Sequence, residues 1–365
     1  MRLNNLYHAI RLQALVGAWT ILICLLTTSC DVHEFPKDKE MHIALRLRFT
    51  TDMPWTTFNS GNFLQNTVNS RSIGQSRVIR HIVRFYDMTS DTRVDVSANY
   101  KEYIYYASTT DSTSNVFAID IPLGNYQVMA WSDFVNEADS TGFYNADDFA
   151  DIKVPFPYTG NTDYKDAFRG TAEVRWADFQ EEVEDINNRI ITIEMSRPLA
   201  KYEFISTDLR EFMAQEAESQ RKKAEAQAGK TESLDTEDTK SVIDLNDYSI
   251  RFFYDGYVPT SYSMFTDKPV DSTTGVSFAG SFQVLSDDEV SLGFDYVIVN
   301  HKETTITVKM GLFNQKGELI SLTNPIDVPL KRSTHTLVRG RYLMEKADNS
   351  ITIDPSYEDD YNIVL

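Results

Sequence analysis

Met41-His42-Ile43-Ala44-Leu45-Arg46-Leu47-Arg48-Phe49-Thr50 alternates along its whole length. Met41, Ile43, Leu45, Leu47 and Phe49 fall on one side of an extended chain, and His42, Ala44, Arg46, Arg48 and Thr50 on the other. Successive strand side chains point to opposite faces, so one apolar and one polar side is the mark of a half-buried strand. Short runs rich in Val, Ile, Tyr and Phe recur at 77–87, 100–108, 115–121, 126–132, 171–176 and 189–195, separated by Gly, Asn, Asp and Ser. That spacing predicts an all-β antiparallel sandwich.

The signal pauses at Ser196-Arg197-Pro198 and restarts. Ala200, Tyr202 and Phe204 alternate with Lys201, Glu203 and Ile205, and further strands are predicted at 249–254, 276–285, 293–300, 304–313, 334–343 and 361–365. The expected organisation is two tandem β-sandwich domains, 41–197 and 198–365. One segment breaks the pattern. Residues 208–230 are rich in the helix formers Ala, Glu, Gln, Lys and Arg. Asp208 is placed to cap a helix, with Glu211 in its acidic first turn. Leu209, Phe212 and Met213 share a face, but the apolar stripe fades after Ala217. The expectation is a helical insertion over 208–247 that docks by its first turns.

Composition narrows the function. In 365 residues, 42% hydrophobic and 12% aromatic content supplies real cores and excludes a mostly disordered chain. The 54 acids against 35 Lys and Arg give a net charge of −19, which repels phosphate backbones, so nucleic acid is not an expected partner. Two cysteines cannot build a disulfide framework or a structural zinc site. The histidines beyond residue 30 (His33, His42, His81, His301 and His335) sit at no metal-ligand spacing. There is no Gly-x-Ser-x-Gly elbow and no phosphate-cradling glycine loop, so neither an enzyme nor a cofactor is expected.

Residues 1–29 read as a secretory signal. Arg2 and Arg11 give it positive charge, and residues 14–26 form an apolar run too short for a comfortable membrane span of ~20 residues. Thr27, Thr28 and Ser29 are small, and Cys30 follows. A small residue directly before a cysteine at the end of such a run resembles the bacterial lipobox, in which the cysteine is acylated and becomes the first mature residue. Thr27 stands where the lipobox usually has an aliphatic residue. Residues 30–40 then make a polar, lipidated tether, and losing Arg2 and Arg11 takes the charge to −21.

Three acidic runs offer oxygen ligands of the kind Ca²⁺ takes: 133–151, Asp287-Asp288-Glu289 and Glu358-Asp359-Asp360. None has the spacing of a fixed calcium loop, and solvated turns are the expected reading. Asp-Ser-Thr occurs at 111–113, 139–141 and 271–273. It resembles the short O-glycosylation sequon of exported Bacteroidales proteins, making Ser112, Ser140 and Ser272 candidate acceptors; ordinary turn composition explains it equally.

Further stretches resemble a known group. They are Cys30-Asp31-Val32-His33-Glu34-Phe35-Pro36, Ile121-Pro122-Leu123-Gly124-Asn125-Tyr126-Gln127-Val128-Met129-Ala130-Trp131-Ser132-Asp133, Asp166-Ala167-Phe168-Arg169-Gly170, Arg197-Pro198-Leu199-Ala200-Lys201 and Val328-Pro329-Leu330-Lys331-Arg332. Ile353-Asp354-Pro355 and Asp360-Tyr361-Asn362-Ile363 close the series. Together they resemble fimbrillin-type surface lipoproteins of Bacteroidales and are similar to the fimbrial anchor subunits. The resemblance implies two transthyretin-like sandwiches with Greek-key connections. It implies an outer-membrane, lipid-anchored protein at the cell surface that binds fimbrillin-like subunits by strand exchange and fixes a pilus base.

In that setting Tyr361, Asn362, Ile363, Val364 and Leu365 form a candidate partner strand. The expected arrangement is pairing within its own domain, with donation to a neighbour as the alternative. The alternative function is glycan binding in nutrient uptake, for which Trp55, Trp131, Trp176, and Tyr257, Tyr262 and Phe265 near Pro259, are the aromatic candidates. Replacing Cys30 with Ala should move the protein from the membrane fraction to the soluble fraction. A variant that stays with the membrane through a carbonate wash would refute lipidation at Cys30.

Overall fold

The computed structural model describes residues 40–50, 77–88, 100–108, 114–175, 190–228, 243–344 and 360–364. His42–Ile119 and Gly124–Leu365 make up one compact unit; Met41 and Asp120–Leu123 belong to a second, small one. Strands up to residue 197 are β1 (Glu40–Phe49), β2 (Arg77–Asp87), β3 (Tyr100–Ser108), β4 (Ser114–Pro122), β5 (Tyr126–Asn136), β6 (Ile152–Lys153), β7 (Ala167–Val174) and β8 (Ile190–Met195). Beyond it come β9 (Leu199–Ser206), β10 (Ser249–Tyr254), β11 (Val258–Pro259), β12 (Ser261–Ser263), β13 (Lys268–Pro269), β14 (Ser272–Thr273), β15 (Ser277–Ala279) and β16 (Gln283–Val284). The series ends with β17 (Val290–Ile298), β18 (Glu303–Phe313), β19 (Leu319–Leu322), β20 (Ile326–Lys331), β21 (His335–Gly340) and β22 (Asp360–Val364).

The chain is all-β but for one α-helix, α1 (Leu209–Ala228), and two 3₁₀ turns among the described residues. The larger sheets run β3-β2-β5-β7 and β4-β1-β8 in the first half, β16-β17-β9-β21-β22 and β15-β10-β18-β19 in the second, with β20 also on β18. One small sheet, β13-β12-β6, mixes the halves. Antiparallel pairing dominates, as alternation and short turns favour. Among the described pairings three are parallel: β1 with β8, β9 with β21, and β21 with β22. That departs from a purely antiparallel expectation, and side-chain alternation could not reveal it, because it is the same in both directions.

The alternation of β1 is real burial: Met41, Ile43, Leu45, Leu47 and Phe49 are all buried. β2 and β5 are different. Nearly every residue of β5 is buried, and so is most of β2. The cause is the chain after β5, which returns across one face of this sheet. Tyr144, Phe149, Ile152 and Val154 close over Ile82, Tyr86, Met129 and Trp131, joined by Leu199, Tyr262, Met264, Tyr296 and Ile298 from the second half. Each such large side chain contributes on the order of 1.5–3 kcal/mol when fully buried. A second core around Phe204, Phe252, Val308 and Val338 lies among the second-half strands.

The helix docks as its sequence suggests. Leu209 and Phe212 are buried, and from Gln220 to Ala226 every residue is exposed. Asp208 stands at the helix start, its carbonyl accepting from the Phe212 amide, but its carboxylate is spent away from the helix. Its carboxylate accepts from the Ser206 hydroxyl and from the amides of Leu343 and Met344, at 3.4 and 3.0 Å, so it pins the turn after β21 to the helix start. Glu211 pairs with Arg341.

His81, on β2, is wholly buried, with Nδ1 2.7 Å from the Ser132 hydroxyl. Burial pushes its imidazole down to about 4. An unfolded histidine titrates near ~6.5, so between these values the unfolded chain binds a proton that the folded chain refuses. Stability should therefore be complete above about pH 6.5 and fall by up to ~1.4 kcal/mol per pH unit on acidification toward 4. Urea midpoints of wild type should drop more steeply over that window than those of His81→Gln. Parallel pH profiles for the two proteins would refute the assignment.

Candidate functional site

Cys30, Ser112, Trp55, Trp176 and Leu365 lie outside the described residues. Ser140 is half-buried at φ 58°, 3.2 Å from the Tyr106 hydroxyl. Ser272 is half-buried on β14, its amide donating to Asp271 at 2.8 Å. Tyr257, Tyr262 and Phe265, the candidates for a glycan platform under the alternative reading, do not form one. Tyr262 is buried and Phe265 packs edge-on to Tyr86 at 5.1 Å, leaving Tyr257 exposed. Trp131 is buried too.

No group of three or more metal-ligating side chains occurs among the described residues. Glu137, Asp139, Asp147, Asp148, Asp287 and Asp288 are exposed, as solvated turns require, and Glu358 and Asp359 of the third run lie outside the described residues. Asp133, expected in a solvated turn, is instead buried and takes two bonds from Arg80, at 3.0 and 2.7 Å. Asp288 pairs with Arg210, and Glu289 with Arg339.

The strongest constellation joins the two halves, and it centres on Asp295 of β17. One carboxylate oxygen accepts from Lys165 Nζ at 2.8 Å and from the Tyr296 amide at 2.8 Å. The other accepts from Tyr158 and Tyr254, both at 2.7 Å. Tyr202 donates to the Tyr254 hydroxyl at 3.0 Å, and Lys165 also bonds the Tyr158 hydroxyl at 2.6 Å. A 3₁₀ turn, Asp163–Lys165, started by Thr162, delivers the lysine.

Burial pushes the Lys165 amine down, against the pull of Asp295. Burial and the Asp295 charge push Tyr158, Tyr202 and Tyr254 well up, so they stay protonated donors. Such shifts can mark a catalytic centre. Here Lys165 and Asp295 are each 1% exposed, and Asp295 already accepts four bonds from the protein, which makes the cluster a joint rather than a substrate site.

Two further ion clusters flank it. Arg197 holds Asp166 at 3.0 and 3.1 Å, and Lys201 holds Asp163 at 2.9 Å. Arg332 grips Asp267 at 2.8 and 2.6 Å, joined by Arg169 and the Tyr262 hydroxyl. Burial alone would raise the Asp267 carboxyl, but these bonds and charges outweigh it and hold it low. Asp166, Arg169, Arg197, Lys201 and Arg332 belong to three of the quoted sequence stretches, which meet at this joint. Gly170 ends one of them, and a Cβ there would lie 2.5 Å from the Glu194 carbonyl, so β7 approaches β8 only with glycine.

The other notable feature is an edge. β22 is the last strand of its sheet and pairs in parallel with β21, Tyr361 opposite Thr336 and Ile363 opposite Val338. β21 presents alternate buried positions at Thr336, Val338 and Gly340.

The family model described as "Family of unknown function (DUF6562)" matches residues 39–365. The chain belongs to that family. No curated protein matches this DUF6562 chain. Among solved structures it is similar to a candidate polysaccharide-binding protein of Bacteroides thetaiotaomicron, at 12% identity and TM-score 0.41, over 77% of this chain and 79% of that one. It is also similar to the fimbrial anchor protein Mfa2 of Porphyromonas gingivalis, at 12% identity and TM-score 0.36, over 77% and 82%. A fimbrial assembly protein of Parabacteroides distasonis is similar at 11% identity and TM-score 0.33, over 82% and 92%.

The flanking clusters allow a direct test in the DUF6562 chain. Arg197 and Asp166 have side chains 2% and 8% exposed, so Arg197→Met strands a buried carboxyl. The expected loss is about 3–5 kcal/mol in denaturant unfolding. The paired change Arg197→Met with Asp166→Leu should recover most of it. A single variant as stable as wild type would show the pair to be idle.

Proposed function

We propose that this chain is a lipid-anchored outer-membrane subunit that binds fimbrillin-like subunits by β-strand complementation and fixes a surface fibre to the cell. The observation that carries the reading is β22 on β21. A five-residue edge strand is held in parallel by backbone bonds, in register with alternate buried positions of its neighbour. In strand complementation the backbone supplies affinity and alternating pockets supply register. A sheet that ends in such a strand can take a partner's strand at its edge, or exchange its own. The N-terminal lipid signal through Cys30 would supply the membrane end.

We favour the strand as part of its own sheet, since a subunit that ends growth has no need to donate one. The described aromatic candidates for glycan binding, Trp131, Tyr257, Tyr262 and Phe265, are divided between core and surface, so that reading has no comparable support. Deleting residues 361–365 should lower the melting temperature of the isolated protein. Unchanged stability with lost association to a fimbrillin-like subunit would make the strand a donor. Cells carrying Cys30→Ala should shed fibres into the medium; fibres kept on those cells would overturn the anchor role.

A further inference from the structure

Residues 152–169 belong to the first half of the chain, end in its sheet at Ala167–Arg169, and between these ends reach into the second half. Ile152 pairs with Tyr262 and Lys153 with Ser261, and the Val154 amide donates to Thr260 at 2.8 Å. Tyr158 lies edge-on to Tyr254 at 5.9 Å and packs on Phe278 at 6.3 Å. At Gly160 a Cβ would sit 2.5 Å from the Phe278 ring, so only glycine fits there. The Asn161 amide donates to Phe294 at 2.8 Å, and its side chain to Ser281 at 2.8 Å. Lys165 ends on Asp295, and Arg169 on Asp267. The covalent crossing is tied down as well: Arg169 and Ser196 exchange two backbone bonds at 2.9 Å, and Val299 donates to Pro198 at 3.0 Å.

We infer that residues 152–169 act as a plug, with the Asp295 pocket as its socket, and that they make 41–197 and 198–365 one cooperative unit with no hinge at 196–198. Two separately stable sandwiches on a linker would need no fully buried lysine reaching across to the other's aspartate. Such a charge is tolerated only where its partners are fixed, so the halves cannot part without leaving Lys165 and Asp295 buried and unpaired or newly hydrated. Tension along the chain would then pass through the plug and its β6–β12 pairing rather than through a flexible connection. This holds whatever the chain binds, and it stands apart from the fimbrial reading.

Hydrogen exchange on the full chain tests it, read at β5 amides in the first half and β18 amides in the second. Tyr158→Phe removes the plug's hydroxyl that donates to Asp295 and should lower protection in both strands by a similar factor, about tenfold, as expected for one lost buried hydrogen-bond partner. Val128→Ala lies wholly within the first half's sheet, between Phe85 and Ala172. It should lower protection in β18 as much as in β5. If Val128→Ala loosens β5 and leaves β18 unchanged, the halves open independently and the plug does not couple them. Two separate calorimetric transitions in the wild-type chain would overturn the inference equally.

Discussion

The carboxylate of Asp295 sets the terms for the rest of the molecule. Moving a charge from water to a protein interior costs several kcal/mol even after relaxation, and the cost is offset only when every lone pair is engaged. Asp295 engages a lysine, two tyrosines and a backbone amide, drawn from β10, β17 and the chain after β6. Those donors hold their places only if β6 lies on β12 and the 3₁₀ turn presents Lys165. A buried ion pair is weak evidence for net stability, because an apolar replacement of similar volume often does as well. What it supplies here is discrimination: an arrangement that misplaces the plug strands both charges at once.

How much of this was legible depends on the range of the signal. Period-two alternation is local, so β2, β3 and β10 match their predicted bounds residue for residue. The predicted strand 276–285 is broken in two at Gly280, where a Cβ would lie 2.3 Å from the Leu292 carbonyl and β17 crowds the chain. β6 and β11 to β14 were invisible, since two or three residues carry no period. Asp295 was missed for a different reason. In Phe294-Asp295-Tyr296 it reads as any polar residue on a half-exposed strand, and its ion-pair partner Lys165 is 130 positions away. The only hint was indirect: the quoted stretches around Asp166, Arg197 and Arg332 carry charges that find one another at the joint.

The helix shows the opposite balance. Its sequence is nearly self-sufficient, with Ala, Glu, Gln and Lys through most of its length, and its beginning and docked face follow from composition alone. What composition could not give is the use made of Asp208, whose acceptors are spent on Ser206 and residues 343–344. That contact fixes the chain where it leaves β21. Everything that follows β21 therefore starts from a point held by the helix.

The joint and the edge are linked by register. Asp295 on β17 lies opposite Tyr202 on β9, Tyr202 opposite Thr336 on β21, and Thr336 opposite Tyr361 on β22. Directly opposed residues share a face, so Asp295, Tyr202 and Thr336 form one row across three strands, and β22 is in backbone register with its end. At one end of the row the Asp295 network fixes Tyr202 through Tyr254, and Thr336 is pinned by its hydroxyl to the Pro329 carbonyl at 3.0 Å. A slip of one residue at β21 would turn Thr336 and Val338 from the core toward solvent. The edge on which β22 rests is thus held in register from the buried end of its own sheet. A strand on that edge meets a fixed order of buried positions on β21, held by a carboxylate three strands away.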